Sequence, residues 1–370
     1  MPRRCAAAFL TIILWLTSLG EEAIAQQGVL LNAAALFYGD NTEFRNPFRE
    51  GETLFGAAAR LDAEIEMTGA VSFTIGVFGN HRFGSERALD LVRPVLALTV
   101  SGRRSRFVFG TLQTPRAGSP AGPDRTGPHG LLPPLQRESL AFERPYEAGL
   151  QWRFAGDGHD HDAWVHWQRL NTAAHRERLD AGVRATWMIQ RLVSIPIQTH
   201  VVHEGGQLFA SGPVRDSFAL ASGIVLSNNA KPSSIPPRGN ITGAGPIVQL
   251  ELLGAWSRYT PDREASDPTR DGGGFFGRLS LEQRGWRTHL IMWRGDDFIK
   301  DEGDSNYLSM RRDGTRYRGV RDYAEAGVTR TFTLAAGTLI EASFRIHRVE
   351  RHYEYSYRVL GVVRARARLE

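Results

Sequence analysis

Period-two alternation of apolar and polar residues runs almost unbroken from Gln26 to the C-terminus, with no convincing amphipathic helix of ten residues or more. That pattern restricts the chain to half-buried strands, because side chains two apart in a strand share a face. Thr53 to Met67 is the clearest run. Phe55, Ala57, Ala59, Leu61, Ala63, Ile65 and Met67 fall on one face; Arg60, Asp62, Glu64 and Glu66 fall on the other. Thr68-Gly69 then turns the chain, and Val71, Phe73, Ile75 and Val77 continue an apolar face. Alternating runs joined by a Gly-containing turn predict a hairpin. The same device recurs at Ser101-Gly102-Arg103, Arg284-Gly285 and Ala335-Ala336-Gly337.

The reading gives sixteen strands, within a range of 14–18, the first near Val29 and the last near His352. Connections alternate in length. Long ones span Gly39 to Gly51, Gly79 to Leu89, Gln113 to Pro145, Glu204 to Arg215, Tyr259 to Gly273 and Gly295 to Val320. Between them lie tight turns. Short turns on one side and long loops on the other are the habit of an outer-membrane barrel. Two connections break the rule: Ser227 to Gly245 is long and the one near Glu350-Arg351 is short.

Several classes are excluded. A mean hydropathy of -0.30 does not suit a polytopic helical membrane protein, although it suits a barrel in which alternate residues face lipid. A net charge of +5, spread along the chain, is no nucleic-acid footprint. Arg3 and Arg4, the apolar run Ala6 to Leu19 and Ala23-Ile24-Ala25 form a secretory signal peptide, residues 1–25. The single cysteine, Cys5, would leave with it, so residues 26–370 form one domain without disulfides. Trp152, Trp164, Trp167, Trp187, Trp256, Trp286 and Trp293, with Tyr38, Tyr146, Tyr259, Tyr353, Tyr355 and Tyr357, are expected to form interfacial girdles.

On the signal peptide, the cysteine-free mature chain, the alternating strands, the girdle aromatics and the stretch Asn41-Thr42-Glu43-Phe44 with Gly51-Glu52-Thr53, the chain resembles porin-like outer-membrane barrels of Gram-negative bacteria. The resemblance rests on architecture and identifies no subfamily. It implies an all-β, antiparallel up-and-down transmembrane barrel in the cell outer membrane. One feature departs from it: such barrels end in an aromatic residue, and this chain ends Arg366-Ala367-Arg368-Leu369-Glu370.

Chemical motifs are sparse. Gly158-His159-Asp160-His161-Asp162 offers metal-ligand types but reads as a polar turn, and His200, His203 and Glu204 lack the helix a zinc protease needs. No Gly-x-Ser-x-Gly elbow occurs. The sequence therefore nominates no catalytic residue, no metal and no cofactor, and the barrel is expected not to be an enzyme. Function is expected on the inner wall, where Arg60, Asp62, Glu64, Glu66, Arg82, Glu147, Arg153, Asp180, Arg184, Arg278, Glu282, Glu325, Glu341, Arg345, Glu354 and Arg358 are the pore-lining candidates. Mixed charge on facing walls suits passive diffusion of small polar solutes with at most mild anion preference. The expected partners are outer-membrane lipid and such solutes, with no nucleic acid and the oligomeric state open. Two other readings stand beside it: a structural or surface-binding barrel acting through Gln113 to Pro145 and Gly295 to Val320, and an outer-membrane hydrolase.

Overall fold

The computed structural model describes residues 28–113, 128–228, 245–265 and 268–369. The expected signal peptide 1–25, most of the Ser227–Gly245 connection and 114–127 of the Gln113–Pro145 connection lie outside the described residues.

The described chain forms β1 (Val29–Arg45), β2 (Glu50–Glu66), β3 (Val71–Arg82), β4 (Leu91–Ser101), β5 (Ser105–Thr111), β6 (Ala148–Ala155), β7 (His159–Arg169) and β8 (Glu177–Gln190). It continues with β9 (Val193–Gly205), β10 (Arg215–Ser227), β11 (Ile247–Thr260), β12 (Arg270–Gln283), β13 (Trp286–Asp296), β14 (Arg321–Ala335), β15 (Thr338–Val349) and β16 (His352–Leu369). One helical turn, α1 (Leu140–Glu143), lies between β5 and β6. Each strand pairs antiparallel with the next, and β1 closes on β16, giving a barrel of sixteen strands. Closure removes the sheet edges, so every strand's backbone groups are paired inside lipid.

Alternation fixes which side chains face lipid. Phe37, Leu61, Ile75, Leu96, Phe109 and Leu290 are exposed on the outside and form an apolar belt. Such a belt around a closed barrel is the outer-membrane architecture. The short turns share an end with Val29 and Leu369, and that end is periplasmic by the same rule.

Some expectations need correction. Gly39 to Gly51 is not a long loop: β1 and β2 stay paired through Thr42 and Glu52, where the Thr42 hydroxyl both accepts from the Glu52 amide and donates to the Glu52 carbonyl, and pair again at Arg45 and Glu50 beyond a register shift. His159 to Asp162 is strand, not turn. Trp152, Trp167, Trp187, Trp256 and Trp286 are exposed on the outer face, but Trp164 and Trp293 are buried inside. Tyr38 also turns inward, where it stacks on Phe142 of α1 and donates to Asn80.

Those inward aromatics reveal what fills the barrel. Ala219, Ala221, Leu253, Ala255, Phe276, Ile291 and Trp293 are apolar yet face the lumen. They are covered by Leu131, Leu132 and Leu135 from the 128–147 segment and by Phe298, Tyr307 and Leu308 from the 297–320 segment. In a water-filled pore each large apolar side chain among them would forgo about 1.5–3 kcal/mol of burial, which is why the two extracellular connections fold inward. Wall side chains take up their backbone amides: Leu132 donates to Gln198, Ile299 to Ser257 and Asp301 to Ser217.

Candidate active site

Beneath these segments, four adjacent strands converge on one set of side chains. Tyr323 and Glu325 come from β14, Arg345 and His347 from β15, Ser356 and Arg358 from β16, and Asp40 from β1. Strand register brings them together: Glu325 lies opposite His347, Arg345 opposite Ser356, and Asp40 opposite Arg358. All alternate positions on these strands point inward, so a two-residue step keeps each pair on the same wall.

Ser356 Oγ lies 2.8 Å from His347 Nε2. His347 Nδ1 lies 2.8 Å from the Tyr323 hydroxyl and 3.4 Å from Glu325 Oε2. Tyr323 donates its single proton to Glu325 Oε2 at 2.6 Å, so it can only accept from His347. That assigns the proton to Nδ1 and leaves the Nε2 lone pair for the Ser356 hydroxyl. A hydroxyl, an imidazole and a carboxylate that orients the imidazole through one tyrosine are the groups that nucleophilic catalysis requires. His289 holds the other Glu325 oxygen at 2.7 Å.

The group lines a cavity of about 40 Å³, roofed by Pro133, Glu138 and Ser139 on one side and by Asp304, Asn306 and Tyr307 on the other. Two guanidiniums flank Ser356. Arg345 Nη2 donates to Glu138 at 3.0 Å, while Arg358 donates to Glu138 at 2.8 Å and to Asp40 at 2.6 Å. Burial, then the Glu325 carboxylate, push the Tyr307 hydroxyl well above its ordinary range, so it remains a proton donor.

The sixteen inner-wall candidates occupy inward positions, and most close into pairs. Arg60 meets Asp62 at 2.6 Å, Arg153 meets Asp162 at 3.3 Å, Arg184 lies 3.7 Å from Asp160, and Arg278 meets Glu251 at 2.7 Å. Glu64 accepts from Ser72, Glu66 from Arg368, Glu147 meets His129, and Asp180 meets His200. Glu341 is buried and Glu354 accepts from the Arg45 amide and Asn46. Arg82 and Glu282 follow the inward alternation of β3 and β12. Only Glu325, Arg345 and Arg358 of the sixteen meet at the cavity beside Ser356.

Ser356, His347 and Tyr323 were missed because no local motif joins them; the signal available was a serine on the polar face between Tyr355 and Tyr357, two strands from Glu325. His159 and His161 face outward, one stacked on Trp187 and the other edge-on to Trp152, while Asp160 and Asp162 face inward. The His-Asp-His-Asp run is therefore split between two faces. His203 pairs with Asp216 at 2.8 Å, whereas His200 is fully buried in the lumen.

The fold is shared with solved outer-membrane proteins at very low identity. A loop L8 deletion mutant of OmpT, an outer membrane protein of Vibrio cholerae, superposes with a TM-score of 0.54 at 7% identity, covering 91% of this chain and 99% of that one. OccK11 (OpdR) of Pseudomonas aeruginosa gives 0.51 at 13% identity, covering 92% and 96%. Comparison with curated proteins gave no match. The expectation that the barrel is not an enzyme is overturned by a family model named for an enzyme: it matches residues 21–369, and the chain belongs to the lipid A 3'-O-deacylase-type family.

Proposed function

We propose that the chain is an outer-membrane acyl-ester hydrolase whose nucleophile is Ser356. The contact that carries the reading is Ser356 Oγ to His347 Nε2 at 2.8 Å, with His347 oriented by Tyr323 and Glu325. Ser356 attacks the ester carbonyl as its proton passes to His347 Nε2. The imidazolium is stabilised through Tyr323 and Glu325, and the oxyanion by Arg345 or Arg358. Collapse breaks the ester C–O bond, His347 returns the proton to the leaving alcohol, and water then releases the acyl group from Ser356 by the same steps in reverse. Family membership supports an acyl ester of an anionic outer-leaflet glycolipid as the substrate class. The cavity beside Ser356 is roofed by the 128–147 and 297–320 segments, so an acyl chain would reach it past them. Incubation of the purified protein with lipid A, followed by mass spectrometry, should reveal loss of an ester-linked acyl chain. Ser356→Ala and His347→Ala should abolish it; unchanged activity in both variants would reject the assignment.

The girth of sixteen strands favours a second reading. A barrel of that size has room for an aqueous path, and Arg60, Asp62 and Glu64 lend both signs of charge to its periplasmic half. In this reading the barrel passes small polar solutes with at most mild anion preference. Planar-bilayer conductance and its reversal potential in a salt gradient test it, and a silent barrel would reject it.

A further inference from the structure

A second group of chemistry-bearing side chains lies in the lumen, outside the Ser356 site. Asp180 of β8, His200 of β9 and Glu302 of the 297–320 segment are all buried, and one ligand-type atom from each lies within 4.8 Å of the others. The atoms that do not converge are all held from behind. His200 Nδ1 lies 2.9 Å from the Leu135 carbonyl oxygen, Asp180 Oδ1 accepts from Trp164 Nε1 at 2.9 Å, and Glu302 Oε1 accepts from Gln168, Arg178 and Arg144.

A carbonyl oxygen can only accept, so His200 Nδ1 carries a proton. Nε2 faces Asp180 Oδ2, 3.1 Å away, in a site from which solvent is excluded. His200 Nε2 and Glu302 Oε2 are both buried with no hydrogen-bond partner. With its proton on Nδ1, the imidazole can turn an Nε2 lone pair to a cation that also takes one oxygen from each carboxylate, and such a cation would satisfy all three buried groups at once. The cations that are present do not fill this role: Arg144 and Arg178 bind the far oxygen of Glu302, and Lys300 donates to the Asp301 carbonyl.

We propose that Asp180, His200 and Glu302 bind a divalent transition-metal cation of the zinc type. One imidazole and two carboxylates form a set suited to such a metal, and ligands whose second atoms are hydrogen-bonded from outside are the usual construction of a protein metal site. Because Asp180 and His200 sit on the wall and Glu302 on an inserted connection, the metal would fasten the 297–320 segment to the barrel. Through the Leu135 carbonyl it would also fix the 128–147 segment, which shares the roof of the Ser356 cavity.

The test is Zn²⁺ titration of the chelator-stripped, detergent-solubilised full-length protein, followed by calorimetry and metal analysis. Wild type should take up one equivalent. His200→Ala and Glu302→Gln should lose it while keeping the heat-modifiable mobility of a folded barrel, and Trp164→Phe should weaken it about 10–100-fold by releasing Asp180. His203→Ala, on the outer face, and Ser356→Ala should bind like wild type, so the result is independent of the hydrolase reading. A wild-type protein that takes up no Zn²⁺, as expected for a plain imidazolium–carboxylate pair, overturns the proposal. So does a His200→Ala variant that binds as tightly as wild type.

Discussion

Raising the pH through about 9 should loosen the 128–147 segment. His129, at the start of that segment, is fully buried and stacks on Trp164 with ring centroids 3.7 Å apart. Its Nε2 lies 2.7 Å from Glu147 Oε2 and its Nδ1 3.7 Å from Asp162 Oδ2. His166 and Arg153 border the same carboxylates. Burial acts to depress the His129 pKa, but Glu147 and Asp162 together outweigh it and raise the value from 6.5 to about 9. A folded-state pKa above the unfolded one means that the ion pair stabilises the docked segment fully below about pH 6.5 and stops doing so as pH rises through about 9. A rise from 6.5 to about 9, at about 1.4 kcal/mol per unit, corresponds to about 3 kcal/mol. Hydrogen-exchange mass spectrometry, corrected for intrinsic rates, should show the 128–147 amides losing protection between about pH 7 and about pH 10. The barrel strands should keep theirs, and His129→Gln should remove the pH step by lacking the charge throughout. Equal protection of the segment at both ends of the range, or the same step in the variant, would refute the reasoning.

Other outcomes follow from the same geometry. His347→Gln should lower ester hydrolysis by about 10²-fold or more, as expected when a general base is lost, with heat-modifiable mobility unchanged. Glu138→Ala removes the carboxylate that both Arg345 and Arg358 hold, so it should loosen the roof and raise single-channel conductance; an unchanged trace would show that Glu138 does not secure it. Leu279→Arg places a charge on the lipid face of β12 and should cost about 2–4 kcal/mol in vesicle-folding titrations, whereas Ser280→Arg on the inner face should cost little. Phe276→Ala opens a cavity under the luminal segments and should cost about 3–5 kcal/mol in the same assay.

The barrel was legible because strand periodicity is a local signal: the run from Thr53 to Met67 states both faces of β2 within one segment. The same alternation puts Arg60, Asp62 and Arg278 on one side of their strands, where Arg60 meets Asp62 and Arg278 meets Glu251, a residue the sequence reading did not single out. The filled lumen was not legible. Period two separates inside from outside only when one face is polar, and on β10 to β13 the inner face carries Ala219, Leu253, Phe276 and Trp293. Such residues read as lipid-facing until the segments that cover them are seen. The girdle reading of Trp164 and Trp293 follows from aromatic type near strand ends, which does not distinguish an outward ring from an inward one; inside, their partners are His129 in one case and Phe298 and Tyr307 in the other. The site was hidden for a different reason. Ser356, His347 and Glu325 lie on three strands, and only register makes them neighbours.

The central claim is that Ser356 is a nucleophile activated by His347, and intact-protein mass spectrometry after treatment with a small fluorophosphonate tests it most directly. The account predicts a single phosphonyl adduct that peptide mapping places on Ser356, absent in Ser356→Ala and strongly slowed in His347→Gln. A protein that hydrolyses ester yet forms no adduct, or forms it on another serine, would contradict the account.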